Sequence, residues 1–533
     1  MPRRPKQSRR PADFNAIDLA LFNSRLVAVA EEMGAVLGQA AFSLNIKERR
    51  DFSCAIFDHN ADMVSHAAHI PVHLGSTPLS VTAAVEAVDM DDGDVVILND
   101  PYCGGTHLPD ITMVAPVYLG RSRSPFAFVA NRAHHADIGG SSPGSMALAS
   151  NIYQEGLRIP PVHLLRRGRP VRETKELFLA NTRVAEERLG DLDAQVAALK
   201  AGAQRIGALA RRHGRGRLQH AMAQLQAYSA RMTRKIIATV PAGRWQAEDF
   251  LDDDGMGSGP LRLQVAITRK GRKLIFDFAG SDAQTDGPLN ANLAVTTSAV
   301  FYVVACLGQG RIPANRGMMD PVSIQAPEGS IVNCCFPAAV AGGNVETSQR
   351  IVDLLLAALA PALPAIVPAA SCGSMTNIAM GGFDPRRKSF FTYYETVGGG
   401  AGAGPLRNGA SAVQTHMTNT LNTPVEVLES YYPLKVNLYR IRRGSGGSGL
   451  HRGGDGIQRE IESRTTTEVT LLAERRRLRP WGIKGGGEGK AGRDAVVRHG
   501  RRVKISSKTS LILKPGESIV VETPGGGGWS KKN

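Results

Sequence analysis

Aromatic residues are scarce in this sequence, at 5%, so it offers few rings on which nucleobases could stack. Its six cysteines, at 54, 103, 306, 334, 335 and 372, include no C-x-x-C pair. That removes the common zinc and redox spacings, and the adjacent Cys334 and Cys335 could hardly bridge without strain. A reduced, cytoplasmic protein is the expectation. No uninterrupted run of ~18 apolar residues occurs, so no membrane-spanning helix is expected. The basic opening "MPRRPKQSRR" is not followed by the apolar stretch of a secretory leader.

Acidic residues are outnumbered: 64 Lys and Arg against 48 Asp and Glu give a formal charge of +16. Much of the excess sits in runs, at the start, in "RRHGRGR" (211–217) and in "ERRRLR" (474–479). None is interleaved with aromatics, and no helix-turn-helix, zinc-finger or RNP-like pattern is present, so nucleic acid is not an expected partner. The runs read as solvated basic faces, and residues 1–14 as a disordered tail. An attraction for anionic substrates or an acidic partner is left open.

What the chain does have is length, core and glycine. At 533 residues and 42% hydrophobic, it can bury a large core in two to four domains. With Gly 58 and Pro 30, it should turn often and bring backbone close to backbone. Residues 15–45 predict an amphipathic helix capped by Asn15, with Val29, Met33, Val36, Leu37 and Ala40 at helical spacing. From 51 to 140 short apolar runs such as "VVILND" and "FAFVANRA" predict strands. Helical texture returns from Glu173 to Val240, and a hairpin turns at Lys270-Gly271. "NVETSQRIVDLLLAALAPAL" predicts a helix capped by Asn344 and ending near Pro361. The expected division is 15–170 as a metal-site α/β region, 171–245 helical, 246–370 α/β, and 371–533 glycine-rich and strand-rich. The fold class is mixed α/β in several layers.

The glycine motifs exclude the usual nucleotide sites. "GSGGSG" (444–449) and "GEGKAG" (487–492) both fit G-x-G-x-x-G, but neither opens a helix after a strand. A phosphate loop fails as well, since Ala491 follows Lys490 and Lys484 stands where the first glycine belongs.

Seven of the thirteen histidines fall between 59 and 135. His66, His69 and His73 have spacings that would suit metal ligands on a helix, but Pro71 interrupts one there. "CGGTHLPD" (103–110) is different: two glycines permit a turn, and Pro109 stiffens the link between His107 and Asp110. "NRAHHADIGG" adds His134, His135 and Asp137 before another glycine pair. Imidazole with carboxylate is a ligand set for zinc, manganese or iron that leaves positions open; a polar loop is the competing reading.

At these residues the chain resembles a known family. "RRDFSCAIFD", "HIPVHLGS", "NDPYCGGTHLPDIT", "AHHADIGGSSPGS", "GNVETSQRIVD", "YYETVGGGAGAGP" and "SGGSGLHRGGDG" resemble the hydantoinase B/oxoprolinase family, over nearly the whole chain. The resemblance implies the hydantoinase B-like architecture and an ATP-dependent cyclic amide hydrolase of the 5-oxoprolinase or N-methylhydantoinase type. It implies a separate A-type subunit that binds ATP and phosphorylates the ring carbonyl of a small lactam or hydantoin, in a symmetric heteromer. It also implies one divalent ion, manganese or zinc, held by Asp51, His107, Asp110 and His134. His135 is the alternative to His134. His135, Asp137, His73 and Asp100 are candidates for orienting ligands or moving protons. Two other readings stand beside the hydrolase: a subunit of an acetone-type ATP-dependent carboxylase, and a non-catalytic scaffold for the ATPase subunit. Valine at Gly104, Gly105, Gly139 or Gly140 is expected to do more damage than valine in the terminal "PGGGG".

Overall fold

In the computed structural model, residues 14–120 and 122–531 are described. The expected tail, 1–14, lies outside them except for Phe14. The first helix runs Ala16–Ala40, and the Asn15 side chain accepts from Asp18 N at 2.8 Å. Leu19, Phe22, Leu26, Val29, Met33 and Leu37 form its buried stripe, the three-and-four spacing that turns one helix face to a core.

That helix and a long one, Ala185–His213, pack against each other. Beneath them lies a seven-stranded sheet of β1 (Phe52–Asp58), β2 (Met63–His66), β3 (Val95–Leu98), β4 (Asp110–Val117), β5 (Ala127–His134), β6 (Val162–Arg166) and β7 (Arg169–Pro170). The spatial order is β2-β1-β5-β4-β3-β6-β7, and every pairing is antiparallel. β1, β4 and β5 are buried along their whole length, so both faces of the sheet meet protein. Strand alternation divides their residues. Ile111, Met113 and Ala115 of β4, with Ala127, Val129 and Ala133 of β5, join the core under the long helices. Val114, Phe128 and Ala130 join the opposite core, as do Ala55 and Phe57 of β1.

The opposite core is shared with helices His73–Ala87, Leu293–Leu307 and Ser348–Leu359 and with a second sheet. That sheet is built from β8 (Gly243–Leu251), β9 (Leu261–Lys270), β10 (Lys273–Asp277) and β11 (Val322–Gln325), in the order β11-β10-β9-β8. The β9–β10 hairpin matches the sequence reading. β12 (Asn377–Asp384) and β13 (Ser389–Thr396) lead a third sheet with Thr467–Leu472 and Lys508–Leu513. A five-stranded sheet completes the C-terminal part. The fold is mixed α/β, as expected, with four sheets among the described residues. No helix among the described residues is long and apolar enough to cross a membrane.

One expected cap is corrected. Asn344 does not cap a helix: it lies inside a π-helical turn, Gly343–Thr347, that runs straight into the Ser348–Leu359 helix. The terminal glycines pack tightly, in keeping with the close backbone approach expected of them. A Cβ on Gly525, Gly526, Gly527 or Gly528 would lie 2.0 Å from the carbonyl oxygens of Ser445, Ala401, Trp481 and Ser448 respectively. Their N–H groups donate to Lys490, Gly454, Ala370 and Gly487. The glycine-rich segments are backbone packed on backbone, which explains why they matched nucleotide motifs without forming one.

Candidate metal centre

The loop between β3 and β4 makes the turn that "CGGTHLPD" requires. Gly104 has φ +86°, and a Cβ there would meet the Leu79 carbonyl carbon at 2.4 Å. Asp100 shapes this loop: its carboxylate accepts from Tyr102 N at 3.0 Å, and its carbonyl from Gly105 N at 2.9 Å. Its other partner is Arg158, at 3.4 Å. The loop ends by placing His107 beside the first residue of β4, Asp110.

Across the ladder, Asp110 stands directly opposite His134, the last residue of β5. By strand alternation, residues 110, 112 and 114 share a face with 130, 132 and 134, and with 51, 53 and 55 leading into β1. The pleat therefore puts the two histidines of the doublet on opposite faces. His134 joins Asp110, while His135 lies on the other side, with Nε2 2.9 Å from Gln195 Oε1 and its ring edge-on to Phe178.

His107, Asp110 and His134 bring ligand atoms within 4.8 Å of one another, and all three are buried, at 0%, 1% and 3% exposure. The Asp110 carboxylate is divided between two tasks. Oδ1 lies 3.4 Å from His107 Nε2 and 3.5 Å from His134 Nδ1. Oδ2 accepts from Thr106 Oγ1 and lies 3.3 Å from His73 Nε2, whose Nδ1 is 2.8 Å from Ser53 Oγ. A carboxylate only accepts, so His73 carries its proton on Nε2 and accepts from Ser53 at Nδ1.

Burial alone would raise the Asp110 carboxyl, but His107 and His73 hold it well below the usual range. Burial lowers His73 and His134 despite the pull of Asp110, which favours the neutral imidazoles a metal takes. Neither nitrogen of His107 has a hydrogen-bond partner among the described residues, nor does His134 Nε2. Orphaned buried nitrogens are costly, and a cation between the two rings would satisfy one nitrogen of each. The residues fit a divalent ion.

Asp51 precedes β1, and its carbonyl accepts from His134 N at 3.0 Å. Arg50, just before it, holds φ +55°, a left-handed turn that a non-glycine residue adopts at a cost. The Asp51 carboxylate lies 3.8 Å from Arg49 Nη2, outside the three-residue group. Burial raises it, while His134 and Arg49 draw it down. Asp137 is not brought to the cluster: it accepts from Arg183 N at 2.9 Å and Arg183 Nη1 at 2.8 Å. Of the four orienting candidates, only His73 touches a member of the group.

Sequence reasoning assigned no role to several neighbours. Arg132 is fully buried on the face of Asp110, donating to Thr112, Ser76 and Ser80 hydroxyls. Tyr394 of β13 stacks on His134, with centroids 4.5 Å apart and planes 7° from parallel. The alternation of "ITMVAP" and "VANRAH" could have found Arg132; Tyr394 comes from a distant sheet and carries no local signal. A cavity of about 790 Å³ lined by Arg50, Phe52, His69 and Leu421 abuts the segment that carries Asp51. A larger basic cavity of about 880 Å³, at Arg476, Lys490, Arg493 and Lys504, contains none of the cluster residues.

Residues 15–532 match the family described as hydantoinase B/oxoprolinase. The chain is 37% identical over 532 residues to the 5-oxoprolinase of Dictyostelium discoideum, covering 98% of this chain and 41% of that one. It therefore spans about two-fifths of that relative. The crystal structure of the ATP-dependent caprolactamase from Pseudomonas jessenii is similar, at 28% identity and TM-score 0.89, covering 97% of this chain and 91% of that one. Nucleotide-free acetone carboxylase shares the fold at 17% identity and TM-score 0.88, covering 96% and 75%.

Proposed function

The chain belongs to the hydantoinase B/oxoprolinase family, and on that premise we propose that it is the metal-bearing hydrolytic half of an ATP-dependent cyclic amidase. Its substrate is a small lactam or hydantoin whose ring carbonyl is phosphorylated on an A-type partner. The observation that carries this reading is the convergence of His107, Asp110 and His134, with both His107 nitrogens and His134 Nε2 left without a hydrogen-bond partner among the described residues. These three hold one divalent ion, manganese or zinc, with Asp51 as the fourth protein ligand. Such an ion polarises a carbonyl and eases deprotonation of water near neutral pH.

The chain's own residues do the rest. Thr106 and His73 grip Oδ2 of Asp110, so Oδ1 is presented to the ion. Ser53 fixes the His73 tautomer, which leaves His73 the group placed to hold or return a proton at Asp110. Near-complete burial keeps bulk water from the activated carbonyl. Asp137 and Asp100 hold the surrounding backbone in place, and His135 meets the Gln195 side chain.

Stable amides resist hydrolysis, so activation by ATP must come from elsewhere, because neither glycine motif forms a nucleotide loop here. The 5-oxoprolinase relative extends well beyond the matched part, which supports an A-type ATP-binding partner. We place the two in a symmetric heteromer, in the cytoplasm, in keeping with six free cysteines. The test is reconstitution with the cognate A-type subunit. ATP-dependent ring opening of hydantoin, 5-oxoproline or caprolactam supports the proposal. Incorporation of labelled bicarbonate without ring opening would replace it with the carboxylase reading, and neither activity would favour a scaffold.

A further inference from the structure

Tyr394 meets the metal centre with its ring face, which stacks on His134, while its hydroxyl is committed to Asn377. The phenol donates to Asn377 Oδ1 at 2.8 Å, and Asn377 Nδ2 donates to Glu346 Oε1 at 2.7 Å and to the Leu472 carbonyl at 3.0 Å. These partners admit only one orientation of the Asn377 amide. Glu346 Oε1 also accepts from Met375 N and Thr376 N, both at 3.1 Å. All three side chains are buried. Glu346 sits in the π-helical turn Gly343–Thr347, an irregularity found frequently at functional sites. At the other end, Arg49 lies over the Tyr394 ring, with Cζ 5.0 Å from the centroid, and donates to the Tyr394 carbonyl at 3.0 Å.

We propose that Glu346, Asn377 and Tyr394 form a buried positioning relay that fixes the plane of the His134 ring and so its aim into the metal centre. The relay rests on the metal reading above. Its anchor is the Glu346 acceptor oxygen, held by two backbone N–H groups, so the Asn377 oxygen that fixes the position of the phenol end of the ring is itself fixed. The near-parallel stack passes that restraint to His134 as a restraint on ring tilt, the coordinate on which a nitrogen lone pair's direction depends. Burial pushes the Glu346 carboxyl up to about 8, against hydrogen bonding from Ser374.

Cobalt(II) titration of the purified chain, read by visible absorption, tests this without any turnover. Wild type should bind one cobalt, and His107→Ala none. Glu346→Ala should weaken cobalt about ten-fold and alter the band shape, whereas Glu346→Gln, which keeps the acceptor, should restore both. Tyr394→Phe keeps the ring and loses only the hydroxyl, so it should show the same spectral change and carries the test where Glu346→Ala fails to fold. Wild-type affinity and spectrum in folded Glu346→Ala and Tyr394→Phe would overturn the relay while leaving the metal reading standing. A wild-type chain that binds no cobalt overturns both.

Discussion

Asp110 and His134 face each other across the β4–β5 ladder, with Oδ1 and Nδ1 3.5 Å apart. The pair joins the ends of two adjacent strands that are buried along their whole length. That arrangement suits a ligand set that must not drift, and the predictions below follow from it.

His73 holds the far oxygen of Asp110 and is itself held by Ser53. Replacing it with glutamine should weaken metal binding or turnover by about 10- to 100-fold, the usual cost of losing an outer partner. Ser53→Ala should do less, because His73 itself still reaches Asp110 Oδ2. Equilibrium dialysis of the metal compares the two variants; equal loss in both would contradict this order.

The adjacent histidines should separate cleanly. His134→Gln should lose the metal and keep the fold. His135→Gln should keep the metal and lose about 1 kcal/mol of stability, since its lost partner is Gln195. Elemental analysis beside urea unfolding reads both quantities.

Alanine at Gly526 should destabilise the protein as surely as alanine at Gly104. A Cβ on Gly526 would sit 2.0 Å from the Ala401 carbonyl oxygen, and one on Gly104 would combine a 2.4 Å clash with φ +86°. Each should cost at least about 1–3 kcal/mol, the range for overpacking. A soluble Gly526→Ala protein with an unchanged melting temperature would show that the C-terminal glycines pack more loosely than this.

Glu155 gives the stability a pH dependence. Burial pushes its carboxyl from 4.5 up to about 8, although Val340 N and Ala341 N donate to it. A folded-state value above the unfolded one means the fold binds this proton more tightly. The contribution is therefore fully present below about pH 4.5 and fades as pH rises through about 8. Glu155→Gln cannot lose that proton, so its urea midpoint should fall less steeply over that interval than the wild-type midpoint.

Much of this could be read before any coordinates. Asn15 caps the first helix, the β9–β10 hairpin turns where glycine allows it, and His107 and Asp110 share a loop because Gly104 lets the chain reverse. Those are local effects, set by neighbours in sequence. Tertiary packing decided the rest. Asp100 and Asp137 looked like site residues by proximity in sequence, yet backbone N–H groups and an arginine take up their carboxylates. The ring that backs His134 belongs to β13, some 260 residues away in the chain, which no spacing rule reaches. The π turn at Glu346 replaced an ordinary cap because Asn344 is drawn into the interior with the segment around it.

The most direct test of the central claim is anomalous diffraction from crystals of the chain grown with manganese or zinc, collected on either side of the metal edge. One peak should appear between His107, Asp110 and His134, about 2.0–2.2 Å from its nitrogen and oxygen ligands, and should vanish in Asp110→Ala. Absence of a peak there under saturating metal, or an undiminished peak in Asp110→Ala, would contradict the account and leave His107 and Asp110 as a polar loop.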